Sequence, residues 1–371
     1  MKKKIKVCHL TSSHARYDIR IFIKECISLS KMGFDVSLIV ADGLGDENKD
    51  GVSIYDVGKA EGRKERFLIA NKKVYLKAKS LNCNIYHFHD PELMFYALKL
   101  KKLKKKVIYD IHEDLVQQLK IRPWINKYLK PLIIFSFEKF ENYICKKMDA
   151  LIVPQPYMKD KFLKLNKDTE IVANFVILET EESSLSEKKE NSFALHAGAL
   201  SKERGLFNMI NAYSKINIIS KLVLAGNIKE DTLKQARLLD GWEKVEYLGV
   251  IKHEKVNELY KNATVGLILY NNVGQYHLSF AIKLFEYMKN SIAVVMPNFG
   301  EWVSFNKENN CGINVDPTNA EEVANAIENL IKNPEKSKAL GKNGYKAVVE
   351  KYNWGISEKN LFVVYDKLLE A

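Results

Sequence analysis

Two short segments concentrate imidazoles beside carboxylates: His87-Phe88-His89-Asp90-Pro91-Glu92 and Asp110-Ile111-His112-Glu113-Asp114. Such groups can ligate a metal, shuttle a proton or hydrogen-bond the hydroxyls of a polar substrate. Strand alternation places His87 and His89 on one face, and Pro91 can only start the helix that follows. Coordination of a metal by His87, His89 and His112 is conceivable, yet no further ligand spacing accompanies it. The pattern fits better with one histidine lining a cleft against a substrate hydroxyl and the other satisfied in the core. A third polar segment, Thr11-Ser12-Ser13-His14-Ala15-Arg16-Tyr17-Asp18-Ile19-Arg20, carries hydroxyls, cations and one acid. Asp18 reads either as the N-cap of a helix from Ile19 or as part of a polar rim facing an acceptor.

The second half offers different chemistry. In Gly198-Ala199-Leu200-Ser201-Lys202-Glu203-Arg204-Gly205 a strand runs into a helix, and the helix-start amides with Lys202 or Arg204 would suit a diphosphate. A plain turn with solvated charges is the alternative. Glu286 lies among apolar residues in Phe280 to Met288, where a carboxylate needs donors such as vicinal ribose hydroxyls unless water solvates it. Neither Gly-x-Gly-x-x-Gly nor a Walker loop occurs, which removes NAD enzymes and P-loop kinases.

The elements that must hold these residues alternate. Ile5 to Leu10, Val36 to Val40, Asn84 to His89 and Lys106 to Ile111 read as strands. Ile19 to Met32, with Ile19, Phe22, Ile23, Cys26, Ile27 and Ser30 on one face, and Pro91 to Leu103 read as helices. A polar stretch, Glu179 to Ser192, cannot enter a core and reads as a linker. The alternation then restarts with strands at Phe193 to Ala197, Lys221 to Ala225, Val245 to Gly249, Val265 to Leu269, Ala293 to Met296 and Gly312 to Val315. Helices follow at Ala320 to Lys332, Glu335 to Lys351 and Ile356 to Leu369. The class is α/β with two doubly wound parallel sheets, and ligands of such sheets sit at the carboxyl ends of the strands.

Composition agrees with two folded units. The chain has 371 residues, 46% apolar and 28% charged. Its longest strongly apolar stretch, Pro131 to Phe137, is far too short to span a bilayer. The start, Met1 to Leu10, resembles a buried first strand more than a signal peptide. Five cysteines, Cys8, Cys26, Cys83, Cys145 and Cys311, form no Cys-x-x-Cys pair, which points to a reducing cytoplasm. Of the net charge of +12, residues 1–170 carry +13 and the remainder −1. Such a one-sided field favours a polyanion, but no helix-turn-helix, zinc or RNA-binding aromatic motif accompanies it, so nucleic acid is not the expected partner.

Over essentially its full length the chain resembles the family 4 retaining glycosyltransferases of GT-B architecture, two Rossmann-like domains facing each other across a cleft. The carriers are His14 to Phe22, Phe88 to Leu93, Val107 to Glu113, Gly198 to Gly205 and Lys283 to Met288, in that order. The first resembles a bacterial branch that builds surface polysaccharides such as O-antigen. The resemblance implies an N-terminal acceptor domain (1–175, with a last helix at about 355–371 that can pack back on it), a linker (176–192) and a C-terminal nucleotide-sugar domain (193–354). It also implies roles. Arg204 and Glu286 would hold the donor diphosphate and ribose, and His112 would lie beside the transferred sugar. Gly198, Lys202, Val250, Phe280, Ala281, Ile282, Lys283 and Leu284 would complete the donor side, with His14, Arg16, Asp18, His89 and Glu113 on the acceptor side. Two positions depart from the family pattern. Ala199 stands where an arginine commonly follows the strand's Gly, and Leu278 where the first acid of a Glu-x7-Glu pair would fall. Diphosphate neutralisation then rests on Arg204, helped by Lys202 or Lys283.

The implied activity is transfer of a sugar with retention from a nucleotide-sugar, a UDP-sugar by preference, to a polyprenyl-diphosphate-linked or glycan acceptor. No metal or cofactor is expected, because protein cations take the leaving-group charge. Lys99 to Lys106 and the aromatic, lysine-rich segment Ile121 to Met148 suggest peripheral docking on the anionic inner face of the membrane. A domain-core helix is the other reading of that segment. A noncatalytic or degenerate partner subunit and a sugar-nucleotide epimerase of the same architecture are the alternatives.

Overall fold

The computed structural model describes residues 4–122, 125–178 and 193–370, apart from the Arg63 side chain. The chain divides into two compact units, Met1–Asn174 with Trp354–Ala371, and Phe175–Asn353. The N-terminal unit contains β1 (Lys6–Leu10), β2 (Asp35–Val40), β3 (Glu47–Lys49), β4 (Val52–Asp56), β5 (Ile85–Phe88), β6 (Lys106–Asp110), β7 (Ala150–Val153) and β8 (Thr169–Ile171). They form one sheet in the order β3-β4-β2-β1-β5-β6-β7-β8, parallel except for the β3–β4 edge hairpin. Strands β1, β5 and β7 are buried on both faces beyond the exposed Lys6, as helices covering both sides require, and β1 and β5 carry one buried histidine each, His9 and His87. The closing helix Trp354–Glu370 returns to this unit, where Leu361, Val364, Tyr365 and Leu368 join the core on one face of the sheet.

The second unit contains β9 (Phe193–Ala197), β10 (Lys221–Ala225), β11 (Val245–Gly249), β12 (Val265–Leu267), β13 (Ala293–Pro297) and β14 (Gly312–Val315). Its sheet order is β11-β10-β9-β12-β13-β14, every pairing parallel. Counted within the unit this is 3-2-1-4-5-6, the doubly wound Rossmann order. The expected linker lies outside the described residues from 179 onward. Before it, Phe175, Val176 and Leu178 pack in the core of this unit.

One expected element differs in kind. Ile19–Cys26 is a wide π-type helix, with the Ile23 amide reaching back to the Asp18 carbonyl at 3.2 Å, and it continues as an α-helix over Ile27–Lys31. The face it buries is not the expected stripe. Ile21, Phe22 and Cys26 turn inward together with Arg20, Lys24 and Glu25, whereas Ile19 is exposed. Charged partners from distant strands draw these polar side chains inward, which three- and four-residue apolar spacing cannot reveal.

Candidate functional site

Strand order reverses at β1/β5 in the first sheet and at β9/β12 in the second, and each reversal opens a crevice at the carboxyl ends. The chemistry found in the sequence collects at these two places.

In the C-terminal unit β9 ends at Gly198, and the helix Ile282–Lys289 brings Lys283 to it. Gly198 has φ +121, and a Cβ there would lie 3.2 Å from the Lys283 ammonium, so a side chain would crowd the cation. His196 is fully buried. Its Nδ1 donates to the Leu267 carbonyl at 2.9 Å, which leaves Nε2 as the acceptor for Lys283 Nζ at 2.5 Å. Burial, and then the neighbouring Arg204 charge, hold the Lys283 ammonium well below its ordinary range. Among the described residues no carboxylate forms an ion pair with it. The Arg204 Nε donates to the Tyr276 hydroxyl at 3.4 Å, and Lys283 Nζ lies 5.7 Å from the Tyr270 ring centroid. Gly205, φ +77, makes the turn into helix Leu206–Tyr213; a Cβ would fall 1.8 Å from the Leu269 carbonyl, so only glycine fits.

The other donor-side candidates scatter around this centre. Lys202 is exposed, its ammonium 5.3 Å from the Phe207 ring. Val250 is exposed just beyond Gly249. Phe280 packs against Trp302 and Phe305, with Ala281 beside it. Ile282 and Lys283 open their helix, where amides have no intrahelical acceptor. Leu284 is a correction: its side chain is fully buried and its amide donates to the Ala281 carbonyl, so it has nothing to offer a ligand. Glu286 is half-buried on the same helix, and with burial it pushes the Tyr260 hydroxyl up. Ala199 is exposed, and Leu278 is half-buried with its amide on the Gln275 carbonyl.

The N-terminal crevice is organised by Asp90, which is 1% exposed. Its carboxylate accepts from the Ser12 and Ser13 amides and from the hydroxyls of Thr11, Ser12 and Ser13, fixing the first loop over the strand ends. His14 lies 3.4 Å from Asp18 and 3.5 Å from Asp90. Burial opposes its charge, but the Asp18 hydrogen bond and the two carboxylates win and raise its pKa. Asp18 is the N-cap, accepting from the Arg20 and Ile21 amides. Burial works against its charge as well, yet His14 and these amides keep the carboxyl below the usual range. The His112 ring is 4.9 Å from that of His14, and its Nε2 is 3.0 Å from Asp110. Glu113 is exposed and accepts from Gln118. Arg16 is committed elsewhere: its guanidinium is bidentate on Asp42 and also reaches Glu47 and the Gly45 carbonyl.

His87 and His89 do share a face, with rings 4.7 Å apart, but neither lines a surface. Both are buried, His89 beneath His112, and His87 Nε2 has no hydrogen-bond partner, so it is not a satisfied core residue. Beneath them Arg20 is bidentate on Asp110, 2.7 Å at both contacts. A cavity of about 530 Å³ lined by Lys106, Asp149, Asp168 and Lys367 lies at the opposite, amino-terminal ends of these strands and holds none of the candidate residues.

Sequence reasoning passed over His196, Tyr270 and Tyr276 in one unit and His9, Glu25 and Tyr365 in the other. A histidine inside an apolar strand is a visible signal at His196 and His9. Nothing local marks Tyr365, which reaches His87 from 278 positions away.

Residues 179–347 match the family model for glycosyl transferases group 1, and residues 24–180 match the model for glycosyltransferase family 4. The uncharacterized glycosyltransferase MJ1607 of Methanocaldococcus jannaschii is 27% identical over 194 residues, which is 50% of this chain and 48% of that protein. The match thus spans about half the length of this curated relative. Among solved structures, sucrose-phosphate synthase of Thermosynechococcus elongatus superposes with TM-score 0.76 at 17% identity, covering 99% of this chain and 100% of that one. Anabaena HepE in complex with UDP and glucose gives 0.73 at 13% identity, covering 98% and 100%. The fold is GT-B, with two Rossmann-like domains. Fold and family matches together support a glycosyltransferase of the GT-B, family-4-like type.

Proposed function

We propose that the chain transfers a sugar with retention from a UDP-sugar to a lipid-linked or oligosaccharide acceptor of bacterial surface polysaccharide synthesis. The observation that carries this reading is the Lys283 side chain, buried beside Gly198 and acted on by the Arg204 charge, with no carboxylate ion pair among the described residues. An amine held in that way regains its charge and a partner when a diphosphate binds. Arg204, Lys283 and the amides of 281–283 then stabilise the charge that develops on the leaving diphosphate, an electrostatic form of catalysis. Glu286 takes the ribose hydroxyls, and Lys202 and Val250 border the donor. The complex of HepE with UDP-glucose supports a UDP-sugar donor in this fold.

The acceptor side is the N-terminal crevice, with His112 nearest the transferred sugar and His14, Asp18 and Glu113 around it. Arg16 acts there by clamping the first loop through Asp42 and Glu47. Retention arises in this reading from same-face attack, with the departing phosphate accepting the proton of the acceptor hydroxyl. Peripheral contact with anionic lipid is supported by helix Lys130–Cys145, which exposes Leu132, Ile133, Phe135, Phe140 and Tyr143. The basic block is less available: Lys101 pairs with Asp149 at 2.7 Å, and Lys99 lies over the Phe95 and Tyr96 rings. No helix of the described residues is long and apolar enough to cross a membrane.

Calorimetric titration with UDP-, GDP-, ADP- and dTDP-sugars, followed by product analysis with and without acceptor, tests the proposal. UDP-sugar binding and acceptor-dependent transfer are expected. Modification of the donor alone would indicate an epimerase, and binding without chemistry a partner subunit. Flotation with anionic liposomes at low and physiological salt tests the lipid contact, and absence of binding at both would remove it.

A further inference from the structure

The N-terminal unit holds a second cluster, one layer below the acceptor crevice, that the proposed transfer does not use. His9, Glu25, His87 and His89 are all within 2% of complete burial. The Glu25 Oε2 atom faces three imidazole nitrogens at nearly equal range: His9 Nδ1 at 3.9 Å, His87 Nε2 at 3.9 Å and His89 Nε2 at 4.0 Å. Neither Glu25 oxygen has a hydrogen-bond partner, and neither has His87 Nε2. Oε1 is ion-paired with Arg20 at 3.2 Å, but a buried Oε2 and a buried imidazole nitrogen that both lack a hydrogen bond and face one another are costly unless something sits between them.

The far side of each ring is occupied. Tyr365 Oη lies 2.9 Å from His87 Nδ1 and 3.3 Å from His9 Nε2. Asp110 Oδ2 lies 3.2 Å from His89 Nδ1, with His112 Nε2 at 3.1 Å beside it. All three outer nitrogens can therefore donate to oxygen, which turns three inner lone pairs toward the Glu25 carboxylate. This is the arrangement by which outer hydrogen bonds orient histidine ligands of a metal. His9 Nδ1 and His89 Nε2 are already 2.9 Å apart, close enough to share one ion. The charge agrees as well. Glu25 and Asp110 offer two negative charges, and Arg20, 3.2 Å from Glu25 and 2.7 Å from Asp110, returns only one.

We propose that His9 Nδ1, His87 Nε2, His89 Nε2 and Glu25 Oε2 form a structural site for zinc(II), closed by four protein ligands and separate from the donor chemistry. An ion about 2.0–2.1 Å from each ligand needs the Glu25–imidazole separations to contract, and the His9–His89 pair to open, by roughly half an ångström. Three imidazoles and one carboxylate suit zinc among the divalent ions. With no open position the ion ties β1, β5 and the helix Ile19–Cys26 together and does not act on substrate.

Metal analysis of the untagged full-length chain, purified without chelator, tests this. About one zinc per chain is expected, released only under conditions that loosen the fold, with a fall in thermal midpoint on its loss. Cobalt(II) refolded into the stripped chain should give the intense visible bands of a tetrahedral site. Glu25→Gln and His87→Gln should lose the equivalent, while His112→Ala keeps it. If either ligand variant does not fold, wild-type stoichiometry and the cobalt spectrum decide alone. Less than about 0.1 zinc per chain with no cobalt band overturns the site. So does loss of the metal in His112→Ala with retention in Glu25→Gln, which would move it to the His89–Asp110–His112 trio.

Discussion

The two crevices use buried charge in opposite ways. In the N-terminal unit the Arg20 guanidinium is bidentate on Asp110, and His89 and His112 complete the carboxylate's shell, so Asp110 stays well below its usual range despite burial. In the C-terminal unit Lys283 is also buried, yet among the described residues its hydrogen bond is to a neutral imidazole and the charge that acts on it is a second cation, Arg204. The first region pairs its Asp110 carboxylate within the fold. The other buries an amine whose positive charge the fold suppresses, and a diphosphate would restore that charge.

The sharpest way to break this contrast is to remove a cation from each side. Arg20→Met should destabilise the fold by about 3–5 kcal/mol, because Asp110 is left as an unpaired buried charge. Chemical denaturation reads this; a loss below about 1 kcal/mol would mean that the network is not held by its ion pair. Arg204→Ala should leave the denaturation midpoint nearly unchanged and lower turnover on the order of a hundredfold, as removal of one transition-state donor does. A smaller effect sharpens the comparison within the first unit. Glu141 is buried with both oxygens lacking a hydrogen bond and Lys161 at 3.8 Å, and burial pushes its carboxyl up to about 7. With the folded value raised, its contribution is fully present below the unfolded value and is lost as pH rises toward about 7. Glu141→Gln should therefore gain about 1–2 kcal/mol at pH 8 and nothing at pH 4, less than the full displacement because the amide is itself a buried polar group. Equal effects at both pH values would count against the raised carboxyl.

The strands that position both crevices were readable because their apolar runs end in recognisable turns, as β9 does at Gly198 and β10 at Gly226. The short edge strand β3, Glu-Asn-Lys, has no apolar pattern, and its pairing is visible only in the fold. Arg204 and Lys283 were legible as cations at a strand end and a helix start, whereas the His196 contact that carries Lys283 joins residues 87 positions apart. The Ile19–Cys26 helix was misjudged for a related reason. Arg20 and Glu25 look like the solvent face of an amphipathic helix until Asp110, 90 positions further on, is placed beneath them. Apolar periodicity reports burial by hydrophobicity and is blind to burial by charge pairing.

The central claim is that Lys283 waits for an anion. Burial lowers its free-state value, and a bound diphosphate would restore the ammonium, so binding takes up a proton and weakens as pH rises through that value toward the ordinary lysine range. The direct measurement is calorimetric UDP affinity from about pH 7 to 10 in two buffers of different ionisation enthalpy, for wild type and Lys283→Met. The account predicts proton uptake and falling affinity for wild type, and a weaker, pH-independent affinity for the variant. Equal affinity and no proton uptake in both proteins would contradict it.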